Sequence, residues 1–365
     1  MLILLPILVI LIIAVFVFMK QPKFGRLPTG KRLEKIKQAA NYKNGQFQNF
    51  NPTPMLSEGV GYFTILKEFL FGKNERVKPV DMIPSRNTDI LNLDPAKDIL
   101  VWFGHSSYFM QVDGKKILVD PVFSGAASPV SFNIKAFKGT DIYTTGDIPE
   151  IDFLFISHDH WDHLDYETVL KLKPKIKKII CALGVGAHLE LWGFDKNIII
   201  EQNWNDEVNL GDGFMVNTVP ARHFSGRGFV RNKAIWVSFV FTTPTLKIFI
   251  GGDSGYDSHF ADIGKSFGPF DLVILENGQY NKNWKYIHMQ PAEVLLAAQD
   301  LRGKRLLPVH NSKFPLAIHP WYEPLKKITE LNIDVKVIVS TPMIGEEVNL
   351  KDPAKQFSKW WEGVL

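Results

Sequence analysis

The sequence of 365 residues contains a single cysteine, Cys181, and carries a formal net charge of only +4. One cysteine excludes a disulfide within the chain, and its apolar setting in KKIICAL indicates a buried structural residue rather than a reactive thiol. So small and dispersed a charge excess gives no reason to expect a nucleic-acid partner. Internal repeats are also lacking. The hydrophobic content of 45% is sufficient for one large globular core.

The N-terminus carries an uncharged apolar run at residues 2–18, LILLPILVILIIAVFVF. As a helix this run would span roughly 27 Å, close to the hydrocarbon thickness of a bilayer. The run lacks a basic segment before it and a small-residue cleavage motif after it, which favours an uncleaved anchor over a removed signal peptide. We therefore expect a single-pass transmembrane anchor at residues 1–19. The lysines and arginines that follow would then keep the catalytic body in the cytoplasm.

The remaining chain divides by composition into three parts. An N-terminal extension and linker is expected over residues 20–95, beginning as an irregular basic arm that wraps the body. Within it, residues 55–71 have apolar side chains near helical spacing, which predicts either a helix docked on the main domain or a lip that contacts lipid. A catalytic domain is expected over residues 96–350. The C-terminal tail, residues 351–365, contains two adjacent tryptophans and is expected to pack on an edge or to face a membrane.

From about residue 98 the pattern is one of short apolar strands joined by turns. The pair Asp113-Gly114 is typical of a tight hairpin turn. Further strands are predicted at FLFIS, KKIICAL, NIIIE, FMVNTVPA, WVSFVFT, KIFIGG and LVILEN. Helices are predicted at DYETVLKLK and at PAEVLLAAQDLRG, where Pro291 suits a first-turn position. Strands with interspersed helices predict an α/β or α+β fold with helical layers around sheets.

Residues 157–165, SHDHWDHLD, crowd three histidines and three aspartates directly after an apolar strand. A folded domain tolerates so many ionisable side chains together only if a cation lies among them. His158 and His160 alternate along an extended segment and so point the same way, while Asp162 and His163 lie on the following turn. The run therefore predicts a metal site and supplies two pairs of ligands.

Four ligands do not complete two metal sites, so further ligands are expected at the ends of other apolar strands. Three such positions exist: His223 follows NTVPAR, Asp253 follows KIFIGG and His310 follows RLLPV. Each alone would be weak evidence. Together, at three strand ends, they predict a shared metal centre.

With these ligand positions, the chain resembles the metallo-β-lactamase superfamily over about residues 95–345. The resemblance implies a four-layer αββα sandwich with the ligands on loops at one edge of two sheets. It implies that one zinc ion is held by His158, His160 and His223, a second by Asp162, His163 and His310, and that Asp253 bridges them. Imidazole and carboxylate ligands suit two Zn²⁺ ions per chain, although the residue types also allow Mn²⁺ or iron.

A closer resemblance is to the branch that contains N-acylphosphatidylethanolamine-hydrolysing phospholipase D and, more remotely, L-ascorbate-6-phosphate lactonase. It is carried by WFGHSSYF, DPVFS, SHDHWDHLD, ARHFSGRG, GGDSGYDSHF, YIHMQPAE and PVHNSKFPLAIHPWYEP. The resemblance implies hydrolysis of a phosphodiester by a hydroxide that two metal ions activate. The implied substrate is a phospholipid taken from a bilayer, with an N-acylethanolamine and phosphatidic acid as products. The oligomeric state is left open.

Several further residues are candidates for the chemistry. His288, in YIHMQP, is expected to donate a proton to the leaving group, with a core or helix-start histidine as the alternative. His105 is expected to contact a metal ligand or relay protons, or else to support its loop. Arg222 and Arg227 flank His223 and would suit phosphate, unless both are merely solvated. Asp257, His259 and His319 are weaker candidates, each lying near a motif.

Three functions are compatible with these patterns. The first is a membrane-anchored dinuclear zinc phosphodiesterase of phospholipase D type. The second is a metal-dependent hydrolase of a soluble metabolite such as a sugar-phosphate lactone, since one such site supports many substrates. The third is a non-catalytic scaffold that keeps metal for stability, which the complete ligand set disfavours.

Overall fold

Two mixed seven-stranded β-sheets lie at the centre of the fold. The computed structural model describes residues 4–72, 75–335 and 337–365. The strands of this described part are β1 (Tyr42–Lys43), β2 (Gln46–Phe47), β3 (Ile99–Trp102), β4 (Tyr108–Val112), β5 (Lys115–Val119), β6 (Ile151–Ile156), β7 (Ile176–Ala182), β8 (Ile199–Gln202), β9 (Glu207–Gly211), β10 (Phe214–Pro220), β11 (Val237–Thr242), β12 (Lys247–Ile250), β13 (Leu272–Glu276), β14 (Arg305–Val309), β15 (Ile338–Val339) and β16 (Glu347–Asn349).

The first sheet has the order β16-β3-β4-β5-β6-β7-β8, and the second has the order β15-β14-β13-β12-β11-β10-β9. Strands β5 to β8 are parallel in the first sheet, and β12 to β15 are parallel in the second. The predicted hairpin is confirmed, because Asp113 and Gly114 join β4 to β5, both with positive φ. Every strand predicted from the apolar runs is present.

The α-helices of the described residues are α1 (Leu4–Met19), α2 (Gly30–Gln38), α3 (Tyr62–Phe71), α4 (Tyr166–Leu172), α5 (Gly186–Leu191), α6 (His259–Phe267), α7 (Pro291–Asp300) and α8 (Glu323–Val335). Helices α4 and α5 pack on the first sheet and α6, α7 and α8 on the second, whereas most side chains of α1 and α3 are exposed. Helix α4 begins where the Asp165 side chain accepts the backbone N–H of Glu167, a typical N-cap. Helix α7 begins at Pro291, as predicted, and has a capping box formed by Gln290 and Glu293.

The two sheets pack face to face through aromatic side chains. Phe155 of β6 lies 5.1 Å from Phe239 and 5.3 Å from Phe241, between ring centroids. On the outer side of the second sheet, α7 buries Val294 and Leu295 in a separate apolar cluster. On the first sheet, α4 and α5 bury apolar side chains in the main core. The predicted αββα metallo-β-lactamase-type sandwich is therefore confirmed.

The apolar N-terminal run forms α1, which has sixteen residues and so a length of about 24 Å. Across residues 4–72, 75–335 and 337–365, none of the helices has both the length and the apolar character needed to cross a bilayer. The transmembrane anchor predicted at residues 1–19 is therefore not supported. Residues 1–3 of that prediction lie outside the described residues.

The N-terminal arm is more ordered than expected. It contains α2 and the β1-β2 hairpin, because the amphipathic segment KRLEKIKQ buries Ile36 against the body. Arg32 of α2 forms ion pairs with Glu190 and Glu201, each at 2.6 Å. The arm therefore does wrap the body, but as a helix and a hairpin rather than as an irregular segment.

The apolar segment at residues 55–71 and the C-terminal tail differ in how far they are buried. Helix α3 lies within the predicted helical segment 55–71 and contacts the body along one edge, where Phe69 stacks on Trp284 at 6.4 Å. Most of its apolar side chains, such as Phe63, are exposed. In the C-terminal tail both Trp360 and Trp361 are buried, so the tail packs on the body and the membrane-facing alternative is not supported.

Candidate metal centre

The strands of both sheets deliver the candidate ligands to one edge of the sandwich. β6 ends at Ile156, immediately before the SHDHWDHLD loop, while β10, β12 and β14 precede the other three ligands. The predicted ligands all lie in two clusters whose donor atoms are within 4.8 Å of one another. We refer to His158, His160 and His223 as the imidazole cluster, and to Asp162, His163 and His310 as the carboxylate cluster.

The imidazole cluster brings three ring nitrogens together. Nε2 of His158 lies 2.9 Å from Nδ1 of His160, and Nε2 of His223 lies 3.3 Å from that same Nδ1. Two nitrogen ligands of one tetrahedral zinc ion lie roughly 3.3 Å apart when the bonds are about 2.0–2.1 Å long. The other ring nitrogen of His158, Nδ1, contacts the Ser157 hydroxyl, and Nδ1 of His223 contacts the carbonyl of Ile287.

The carboxylate cluster is held by acidic partners. Nδ1 of His163 donates to Oδ2 of Asp120 at 2.8 Å, which directs Nε2 of His163 into the centre. Oδ2 of Asp162 lies 2.8 Å from Nε2 of His105 and 3.6 Å from Nε2 of His163. A carboxylate behind a ligating histidine is the usual way that proteins fix its tautomer and orientation.

Asp253 joins the two clusters. Its Oδ1 lies 3.2 Å from both Nε2 of His163 and Nδ1 of His310, while its Oδ2 lies 3.6 Å from Nε2 of His223. The preceding Gly252 allows this approach, because a Cβ there would lie 2.7 Å from the carbonyl oxygen of Val237. The geometry is the one expected of a bridging carboxylate.

The donor set fits divalent cations. Nε2 of His163 and Oδ1 of Asp253 are buried and have no hydrogen-bond partner among the described residues, a costly arrangement for polar atoms unless an ion satisfies them. Burial, followed by the charges of neighbouring histidines, holds the pKa of His158 and of His223 well below the ordinary value. Neutral imidazoles are the form that binds metal.

The carboxylate cluster has the opposite electrostatic character. Burial opposes charge on His163, but the carboxylates of Asp253 and Asp162 outweigh it and raise the pKa of His163 well above the ordinary value. Burial raises the pKa of Asp253 to about 6, against the opposing effect of His163. Asp162 and the neighbouring Asp253 therefore favour a positive charge between them.

Backbone strain coincides with the centre. Three residues around it that are not glycine have positive φ: His105 at 53°, Asp120 at 40° and His310 at 64°. Such conformations are uncommon outside glycine and concentrate at functional sites. The chain thus holds these three side chains in positions that relaxed loops would not give.

His288 lies beside both clusters. Its ring centroid is 5.0 Å from that of His223 and 5.2 Å from that of His310. Nδ1 of His288 is 2.7 Å from Oε2 of Glu276, so Nε2 is the nitrogen left for a substrate. Burial lowers the pKa of His288 and raises the pKa of Glu276. Asp253, Glu276, His288 and His310 also form a third group with donor atoms close enough for a metal ion.

His105 is buried, and its Nε2 lies 2.8 Å from Oδ2 of Asp162. Burial lowers the pKa of His105, with Asp162 opposing that shift.

The phosphate-binding role predicted for two arginines is not supported by their positions. Arg222 donates to Thr53 and to the carbonyls of Tyr256 and Pro52. Its side chain therefore fastens the N-terminal arm.

Arg227 is buried and donates through Nη1 to the carbonyls of Asp159 and Leu164, at the two ends of the ligand loop. Its guanidinium lies 3.9 Å from the ring centroid of Trp161. Neither arginine is solvated, so the alternative expectation is also wrong. Both arginines therefore hold neighbouring loops together.

The weaker candidates support loops. The Asp257 carboxylate accepts from Asn51, His259 lies 3.3 Å from the Ser254 hydroxyl, and Nε2 of His319 accepts the backbone N–H of Gln279.

Sequence reasoning missed Asp120 and Glu276 as partners of the site. Both follow apolar strands, in KKILVD and LVILE, so the strand-end argument that identified Asp253 could have found them.

The four-layer fold and the paired ligand clusters define a metal-dependent hydrolase. The chain belongs to the beta-lactamase superfamily, whose domain model matches residues 115–311.

Two relatives and one solved structure are similar to this chain. An uncharacterised protein of Mycobacterium tuberculosis is 36% identical over 328 residues, which cover 89% of this chain and 88% of the relative. An N-acyl-phosphatidylethanolamine-hydrolyzing phospholipase D of Caenorhabditis elegans is 30% identical over 245 residues, covering 63% of this chain and 68% of the relative. The similarity to this phospholipase that the motifs indicated is thus confirmed. A metallo hydrolase of the archaeon Ignicoccus hospitalis has the same fold, with a TM-score of 0.52, 22% identity, and coverage of 69% of this chain and 98% of that one.

Proposed function

We propose that this protein is a dinuclear zinc phosphodiesterase of phospholipase D type that cleaves N-acylphosphatidylethanolamine to N-acylethanolamine and phosphatidic acid. One observation carries the proposal. Asp253 joins the imidazole and carboxylate clusters, and side chains of both clusters line a cavity of about 240 Å³ together with His288.

Zinc suits the donor set, which consists of imidazole and carboxylate groups without a thiolate. His158, His160 and His223 would hold one ion, Asp162, His163 and His310 the other, with Asp253 shared. Two such ions supply Lewis-acid polarisation of a phosphoryl oxygen and lower the pKa of water toward neutrality.

The side chains of the chain itself supply orientation and proton transfer. His105, Asp120 and Ser157 fix the orientation of their ligand partners. Nε2 of His288 faces the substrate and delivers a proton to the departing alkoxide oxygen, since an alkoxide is a poor leaving group. Glu276 holds the opposite nitrogen of that ring and so orients it. His288 is thus proposed as a catalytic residue and Glu276 as a positioning residue.

The phospholipid substrate is supported by similarity to the nematode phospholipase. The test is to incubate metal-loaded protein with N-acylphosphatidylethanolamine in mixed micelles and to follow N-acylethanolamine by mass spectrometry. We expect release that vanishes in Asp253→Ala and persists in Asp262→Ala, a change on the exposed face of α6. Failure to release product from fully metal-loaded protein, together with turnover of a soluble sugar-phosphate lactone, would overturn the phospholipase proposal in favour of a soluble-metabolite hydrolase.

A further inference from the structure

A cavity of about 540 Å³ connects the ligand clusters with the N-terminal helix. At one end it is lined by His160 and Asp162, which belong to the two clusters. At the other end it is lined by side chains of α1, namely Val15, Phe18 and Met19. The same cavity is therefore lined both by proposed metal ligands and by the N-terminal helix, which is far from them in the sequence.

This cavity is the middle part of a longer groove. It shares His160, Asp162, Phe224 and Leu316 with the 240 Å³ cavity that contains His288. On the other side it continues into a cavity of about 450 Å³ beneath α1, with shared lining residues Val15, Met19, Phe24, Gly226, Arg227, Gly228 and Phe229. The shared linings make one continuous path from the metal centre to the underside of the helix.

The walls of the middle part are mainly apolar. Trp161, Phe224, Phe229 and Leu316 contribute with the side chains of α1. Among its lining residues, Asp162 is the one carboxylate and lies at the end nearest the clusters. The groove thus has the two ligand clusters at one end and mainly apolar walls along α1, with the cations Arg227 and Arg231 also among the residues that line it.

The position of α1 is fixed by contacts at its C-terminal end. Phe24 packs against Phe18 at 5.3 Å and against Trp161 at 5.1 Å, between ring centroids. Trp192 donates to the carbonyl of Pro22, and Arg227 donates to the carbonyl of Lys23. The segment after the helix is therefore tied to the ligand loop itself, since Trp161 lies between His160 and Asp162.

We propose that this groove binds one acyl chain of the substrate lipid, with the phosphodiester at the ligand clusters and the chain running under α1. This inference rests on the proposed function. Apolar walls favour a hydrocarbon chain because burying each methylene removes it from water. The continuity with the metal centre favours a chain of the substrate over an unrelated apolar ligand. Helix α1 then serves as a wall of the lipid subsite.

The test compares two tryptophan substitutions on the same helix. Met19→Trp fills the groove, because Met19 lines both the 540 Å³ and the 450 Å³ cavities. Ile10→Trp is the matched control, because Ile10 is 65% exposed and lines neither cavity. The substrates are N-acylphosphatidylethanolamines with short acyl chains of increasing length, used below their micellar concentration.

For the unmodified protein we expect kcat/KM to rise by up to about fourfold per added methylene until the groove is full. Met19→Trp should flatten this dependence while keeping turnover of the shortest substrate, and Ile10→Trp should retain it. A flat dependence in the unmodified protein would overturn the groove. Equal loss in both variants would also overturn it, in favour of contact between α1 and a lipid surface or a second copy of the chain.

A binding measurement separates this inference from the proposed function. A fluorescent fatty acid is first bound to the metal-loaded protein, and its displacement by the same lipids is then measured. Displacement that strengthens with chain length and is lost in Met19→Trp, without any hydrolysis, would uphold the groove and refute the phospholipase activity. Hydrolysis with no dependence on chain length would uphold the activity and refute the groove.

Discussion

The two ligand clusters lie side by side, but their surroundings differ. In the imidazole cluster the outer ring nitrogens of His158 and His223 contact a hydroxyl and a backbone carbonyl, which are neutral partners. In the carboxylate cluster His163 has Asp120 behind it and Asp162 and Asp253 in front of it. Burial, followed by the charges of neighbouring histidines, lowers the pKa of His158, whereas the carboxylates of Asp253 and Asp162 raise the pKa of His163 despite its burial.

This difference shows that one edge of a sandwich can carry two adjacent cation sites whose surroundings differ in charge. The imidazole cluster presents neutral ligands, because burial disfavours charge on His158 and His223. The carboxylate cluster concentrates negative charge that only a cation, or a proton on His163, can balance. We therefore expect the carboxylate cluster to hold its metal ion more tightly than the imidazole cluster does.

Asp253→Ala should affect both clusters, because Asp253 is their shared neighbour. We expect activity to fall by about 10³-fold or more, since several kcal/mol of stabilisation would be lost. Elemental analysis should show reduced metal content while circular dichroism shows an unchanged fold. Wild-type metal content together with wild-type activity would contradict the bridging role.

His288→Ala should leave both clusters intact and affect proton transfer alone. We expect kcat to fall by about 10²–10⁴-fold, the usual contribution of a general acid, with metal content unchanged. Glu276→Gln should reduce kcat less, because the amide oxygen can still accept from Nδ1 of His288. Loss of a metal ion from His288→Ala would instead make His288 a ligand, as its proximity to Asp253, Glu276 and His310 allows.

Asp120→Asn should weaken the carboxylate cluster more than the imidazole cluster, because Asp120 contacts His163 directly but reaches His158 only through the Ser157 hydroxyl. Loss of such a supporting carboxylate typically weakens metal binding about 10–100-fold. Titration with a competing chelator should therefore show one strongly weakened ion and one that is weakened less. The matched control is Asp152→Asn, at the start of β6, where the carboxylate contacts Lys116 and Lys177. Equal weakening of both ions would remove the proposed asymmetry.

The sequence was most informative where chemistry is local. The run from His158 to His163 carries its own pattern, and apolar strands followed by His223, Asp253 and His310 indicated that the remaining ligands meet at a sheet edge. The apolar runs also predicted the strands, because buried strands are the segments whose side chains are apolar on both faces.

Long-range partners were not predictable in the same way. Arg222 and Arg227 looked suited to phosphate because they flank His223, but their partners come from the distant arm and from the ligand loop. Pairing of His288 with Glu276 depends on how β13 is placed beside the following loop. The apolar N-terminal run correctly predicted a helix. Its hydropathy could not show that Phe24 would pack between Phe18 of α1 and Trp161 of the ligand loop and so place the helix near the metal centre.

The most direct test of the two-cluster account is X-ray absorption spectroscopy of the zinc-loaded protein. The account predicts nitrogen and oxygen ligands at about 2.0–2.2 Å and a metal–metal distance of about 3.5–4 Å, with the metal–metal signal lost in Asp253→Ala. A single metal environment without a metal–metal signal, in protein saturated with zinc, would show a mononuclear centre and contradict the account.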